Sequence, residues 1–182
     1  MQLYKNIFVN KYYSLIYHSI SMNSILEKVK DLKNIALLKK QLISTAESCT
    51  GGLISKYLTD ISGASSFFES SVVTYSNDSK ISLLNVNPED LSMYGAVSEE
   101  VVEKMCRGLL KISAATTAIS ISGIMGPKSD NTSKKVGSVW ICIMSKAKTK
   151  TYFLELSGSR QENREEAAKI AIINLYDFIN EL

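Results

Sequence analysis

Residues 41–58 read QLISTAESCTGGLISKYL. The segment 41–46, with Leu42 and Ile43, has the look of a short strand, and LISKYL after the glycine pair that of a helix. Strand, polar turn and helix in that order open an α/β unit. They place Ser48, Cys49, Thr50, Gly51 and Gly52 at a helix N-terminus. Free backbone N–H groups and the positive end of the helix dipole gather at such a turn. It can hold an anion, or the oxyanion of a transition state. On this motif alone an ordinary N-cap, with glycines kept for tight packing, is an equal alternative.

On the N-terminal side, Ile25, Leu26, Val29, Leu32, Ile35 and Leu38 recur at helical intervals over 25–39. On the C-terminal side, FFESSVVTY over 67–75 reads as a second strand, followed by a short helix capped by Ser76 or Asn77. A turn with a helical piece spans 85–95. Ser98 followed by Glu99 and Glu100 then opens a helix through Ile112. ATTAISIS over 115–122 reads as a buried strand and 122–137 as a polar loop. Strands over 138–144 and 149–156 form a hairpin across 145–148, and a long amphipathic helix covers 160–182. Helices alternate with strands early and a hairpin comes late. That order predicts one α/β domain over 24–182, a three-layer α/β/α architecture with a mixed sheet.

A chain of 182 residues is long enough for one domain with a sizeable core. Its 21 basic and 18 acidic residues leave a net charge of +3, and no Lys/Arg block occurs. That balance argues against a nucleic-acid partner. Three widely spaced cysteines with no CxxC pair argue against a zinc site and a disulfide framework. They point to a reducing, cytoplasmic setting. No apolar run approaches the ~20 residues that cross a bilayer. The first 23 residues differ in character, with no acid and no arginine. They are expected to be a disordered extension or to lie upstream of a working start at Met22, with organelle targeting as the lesser alternative.

The turn offers three nucleophiles, Ser48, Cys49 and Thr50. The one histidine, His18, lies in the N-terminal stretch, so the usual activating base is out of reach. A lysine serves instead where burial lowers its pKa toward neutrality. Lys80 stands in Tyr75-Ser76-Asn77-Asp78-Ser79-Lys80, about one turn into a helix that follows a strand ending at Tyr75. Ser48 as nucleophile, Lys80 as base and Tyr75 as proton relay make a workable amide-hydrolysis set. The plainer alternative is a solvated Lys80 and a rim aromatic. Cys49 is the rival nucleophile, since a helix N-terminus lowers a thiol pKa. A small buried filler is its plainer reading.

TAESCTGG (45–52), VVTYSNDSK (72–80), YGAVSEE (94–100), SGIMGP (122–127) and VGSVWI (136–141) together resemble the CinA C-terminal domain family. The resemblance runs from about Ile25 to the C-terminus. Stand-alone members of that family include PncC-type nicotinamide-nucleotide amidases. Longer members carry a further N-terminal domain similar to molybdopterin-binding proteins, and the expectation for these 182 residues is the amidase domain alone. The resemblance implies deamidation of nicotinamide mononucleotide to nicotinic acid mononucleotide and ammonia, within NAD recycling, with no metal and no cofactor. It implies Ser48 as nucleophile, Lys80 as base and Tyr75 as relay or orienting group. Less directly it implies oxyanion or substrate contacts through the backbone N–H groups of Thr50, Gly51 and Gly52, a ligand-facing wall from Ser122 and Gly123, and contacts from Arg160 and Arg164, with an arginine for the phosphate. Surface ion pairs to Glu162 or to Glu165 and Glu166 are the alternative for the arginines.

Two departures from the family pattern stand out. Met125 occupies a place that is alanine in the pattern, and the 128–135 loop lacks its glycines. They motivate a second reading, a nucleotide-binding module without turnover, and a third, an amidase for another carboxamide. A homodimer is expected by base rate only.

Overall fold

The computed structural model describes residues 22–129 and 133–182, the side chains of Met22 and Asn23 excepted. The expectations for residues 1–21 fall outside the described residues. In chain order the elements are α1 (Met22–Leu38), β1 (Ile43–Glu47), α2 (Leu53–Thr59), β2 (Phe68–Val73), α3 (Asn77–Leu84), α4 (Pro88–Tyr94), α5 (Glu99–Ile112), β3 (Thr117–Gly123), β4 (Ser138–Ser145), β5 (Thr149–Glu155) and α6 (Arg160–Asn180). The sheet runs β2-β1-β3-β4-β5. β1 lies parallel to both β2 and β3, whereas β3–β4 and β4–β5 are antiparallel. The mixed three-layer α/β/α fold is the architecture the element order predicts.

Two cores, one on each face, follow from the pleat. Ile43, Ile119, Ile121, Ile141 and Ile143 face a layer of α1, α2 and α6, which contributes Val29, Leu58, Leu175 and Phe178. Ala46, Ala118 and Cys142 face a layer of α3, α4 and α5, which contributes Leu84, Leu91, Val101 and Met105. The small residues on this second face let α5 lie close to the sheet: Ser120 Oγ donates to the Val102 carbonyl at 2.6 Å. Gly108 extends the same economy outward, since a Cβ there would sit 2.0 Å from the Leu84 carbonyl oxygen. Each large apolar side chain buried in these cores contributes about 1.5–3 kcal/mol.

Two boundaries move for reasons that bear on the site. β1 starts at Ile43 because the end of α1 uses Gln41, whose N–H bonds the Ala36 carbonyl at 2.7 Å. β2 ends at Val73, so Tyr75 lies past the strand rather than at its end. The last rung is the Thr74 N–H on the Glu47 carbonyl at 2.8 Å. Beyond Glu47 the partner strand is finished and the chain leaves the sheet. Among the described residues no helix is long and apolar enough to cross a membrane.

Candidate active site

Parallel strands bring their carboxyl ends to one edge, and in α/β sheets that edge is where ligands sit. Here the C-terminal ends of β1, β2 and β3 meet around a cavity of about 180 Å³. Ser48 and Cys49 enter from the end of β1, Tyr75 from the link after β2, and Lys80 from α3. Ser122 and Gly123 close it from β3, with Ala96, Val97, Met125 and Arg160 as outer walls.

The Ser76 side chain accepts from the Ser79 N–H and so fixes where α3 begins. Lys80, one turn in, reaches back toward the sheet and is 1% exposed. Its Nζ lies 3.0 Å from Ser48 Oγ and 2.7 Å from the Thr74 carbonyl oxygen. The solvated alternative for Lys80 is thereby excluded. Burial pulls its pKa down from 10.5 to about 8. A neutral amine in this place donates to the Thr74 carbonyl and offers its lone pair to the Ser48 hydroxyl. Cys49 behaves in the opposite way. It is 5% exposed, and burial pushes its thiol up to about 12. At neutral pH it is an uncharged thiol beside the serine, which is the small-filler alternative.

Glu47 is the residue that sequence reasoning missed. It is fully buried, and its Oε2 accepts from Thr50 Oγ1 at 2.7 Å, from the Gly52 N–H at 2.9 Å and from the Ile54 N–H at 3.2 Å. Its Oε1 accepts from the Ser55 N–H at 2.8 Å. Gly51 and Gly52 have φ of 61° and 98°, which turns these donors inward. The N-terminus of α2 is therefore filled by the protein's own carboxylate. The expectation that it holds a substrate anion is corrected on that ground. Thr50, Gly51 and Gly52 do not line the cavity, and the Thr50 hydroxyl and Gly52 N–H are committed to Glu47. The available signal was a carboxylate immediately ahead of a helix N-terminus.

The two arginines divide. Arg160 lines the cavity and donates to Tyr75 Oη at 2.9 Å and to the Gly126 carbonyl at 2.8 Å. It holds Tyr75, 62% exposed, over the mouth. Arg164 lies outside the cavity lining. Its Nε donates to the Cys49 carbonyl at 3.2 Å and its Nη2 to the Thr50 carbonyl at 2.7 Å. Glu162 serves a capping box with Ser159 at the start of α6. Ser98 is an N-cap for α5, accepting from the Val101 N–H. In the altered loop, Lys134 Nζ donates to the Tyr94 carbonyl at 2.8 Å and also to the Val97 carbonyl, tying that loop to the cavity wall. Met125 is 3% exposed, and its Cε would stand 3.2 Å from a Cβ placed on Gly123.

A family model described as CinA C-terminal domain matches residues 26–179. A CinA-like protein of Endomicrobium trichonymphae is 45% identical over 138 residues, which are 76% of this chain and 32% of that protein. This chain thus spans about a third of the length of such CinA-like relatives. The nicotinamide-nucleotide amidohydrolase PncC of Enterobacter agglomerans is 44% identical over 131 residues, 71% of this chain and 80% of that one. A CinA superfamily protein of Klebsiella pneumoniae has a solved structure that superposes with a TM-score of 0.84 at 28% identity. The superposition covers 87% of this chain and 99% of the other.

Proposed function

This chain belongs to the CinA C-terminal domain family, and we propose that it is a nicotinamide-nucleotide amidohydrolase of the Ser-Lys type. The reading takes its substrate from the PncC relative and its chemistry from one observation, the buried Lys80 Nζ at 3.0 Å from Ser48 Oγ.

Ser48 Oγ attacks the carboxamide carbon while its proton passes to the neutral Lys80 amine. The tetrahedral oxyanion collapses, the C–N bond breaks, and Lys80 returns the proton to the leaving nitrogen, releasing ammonia. Water then attacks the Ser48 ester, giving its proton to Lys80, and that proton goes back to Ser48 as the acid departs. Thr74 orients the Lys80 amine through its carbonyl. Tyr75, held by Arg160, relays or steers the proton to the leaving nitrogen. Ser122 and Gly123 form the wall against the pyridine ring, and Arg160 meets the phosphate.

Ammonia release from nicotinamide mononucleotide tests the reading in wild type, Ser48→Ala and Lys80→Ala. Both variants should lose about 10³-fold or more in kcat. Unchanged release by Ser48→Ala would sink the mechanism. A second reading, nucleotide binding without turnover, is favoured by the size of the cavity. About 180 Å³ is less than the ~300 Å³ at which small-molecule pockets begin, and Met125 stands in its wall. Calorimetry that finds the nucleotide bound by a protein releasing no ammonia would select this reading.

A further inference from the structure

The turn after β1 carries five backbone N–H groups, and three have acceptors. Ser48 N–H bonds the Ile121 carbonyl at 3.0 Å, Gly51 N–H the Ser48 carbonyl at 3.2 Å, and Gly52 N–H the Glu47 carboxylate at 2.9 Å. The N–H groups of Cys49 and Thr50 have no backbone acceptor among the described residues. They lie near the Cys49 thiol, whose raised pKa they pull back slightly, and Cys49 lines the cavity next to Ser48.

What aims these two N–H groups is the other side of their peptides. In a trans peptide the N–H points opposite to the C=O of the same plane. The Ser48 carbonyl is held by the Gly51 N–H, so the Cys49 N–H points the other way. The Cys49 carbonyl is held by Arg164 Nε, so the Thr50 N–H points the other way. The same guanidinium takes the Thr50 carbonyl through Nη2. Gly51 leaves room for it, since a Cβ there would lie 3.0 Å from that nitrogen.

We propose that Arg164 is a positioning residue for the oxyanion: by holding the carbonyls of Cys49 and Thr50 from outside the cavity, it turns the Thr50 N–H, beside that of Cys49, onto the oxygen that becomes negative when Ser48 attacks. The proposal rests on the Ser48 reading above. It withdraws Arg164 from phosphate binding, because Arg164 stands behind the turn and outside the cavity lining, where Arg160 is present. It also gives the forked guanidinium a task that lysine's single ammonium cannot perform.

The test uses Arg164→Lys and Arg164→Met, two probes and one reagent. The probes are nicotinamide mononucleotide and the phosphate-free nicotinamide riboside. In both variants kcat should fall by about 10²-fold on either probe, with KM within about twofold, as when an oxyanion donor is lost. A fluorophosphonate reads the same geometry without the substrate. Ser48 Oγ–P forms, P–F breaks, fluoride leaves and Lys80 takes the serine proton. Mass spectrometry of the labelled peptide should show slower labelling in both variants. A KM increase confined to the nucleotide, with kcat kept, overturns the proposal in favour of a phosphate contact. So does Arg164→Lys with full kcat and full labelling rate, which would show that a cation alone suffices. A wild type that is labelled at Ser48 yet releases no ammonia overturns the substrate reading, and the labelling rates then still decide Arg164. A wild type that neither labels nor hydrolyses overturns both.

Discussion

Raising the pH from 6 to 10 should switch on ammonia release through one group. Lys80 is 1% exposed, and burial brings its pKa from 10.5 to about 8. At pH 7 about one Lys80 in ten is then a free amine, against about one in three thousand for an ordinary lysine. Burial thus multiplies the fraction of competent base about 300-fold. The value of kcat/KM should climb about tenfold from pH 6 to pH 7 and level off about one unit above the pKa. The same group leaves a signature in stability, and its sign is fixed. The folded-state pKa is depressed, so between about pH 8 and 10.5 the unfolded chain binds more protons and stability rises with pH. The full shift corresponds to about 3 kcal/mol, most of which falls between pH 7 and pH 10. Urea unfolding of wild type beside Lys80→Met measures it, because the variant lacks the titrating group. Wild type should gain that amount on the variant over this interval. A rate profile that is flat from pH 6 to 10, or whose midpoint lies above 10, would refute the reasoning. So would a variant whose stability tracks wild type at both pH values.

The uncharged state of Cys49 predicts that Cys49→Ser keeps kcat within a few-fold and that iodoacetamide leaves wild-type ammonia release intact; inactivation by the reagent would bring the thiol into the chemistry. Glu47→Gln replaces a two-oxygen acceptor of four hydrogen bonds by one oxygen and an amide that faces N–H donors. It should cost about 2–4 kcal/mol in urea unfolding, and a loss below about 0.5 kcal/mol would contradict the capping role. Met125→Ala opens the cavity wall over Gly123. Steady-state kinetics should then show a lower KM for nicotinamide mononucleotide, and a higher one would mean that the thioether packs against the substrate.

The fold was readable because its signals are local. The strand-turn-glycine-helix order at 41–58, the Ser98 cap and the Ser145–Lys148 hairpin each determine an element within fewer than about twenty residues. Lys80 was readable as a base through the absence of a nearby histidine and through its place one turn into a helix. Its burial, which lowers its pKa toward neutrality, was not readable, since that depends on β1, β2 and α3 converging. The pairing of Tyr75 with Arg160 spans 85 residues of sequence and no local pattern carries it. Glu47 is the instructive case. A carboxylate ahead of TGG is visible in the sequence, but whether the helix N–H groups turn toward it or toward a ligand depends on the φ angles of Gly51 and Gly52. Because they turn toward it, the dipole of α2 is neutralised within the protein. On the reading proposed above, the attraction for an anionic nucleotide falls to Arg160 at the mouth, and the stabilisation of an oxyanion to the N–H groups of Cys49 and Thr50, which Glu47 does not take. A helix N-terminus that reads as an anion site in the sequence is, in the folded chain, already filled by the carboxylate of Glu47.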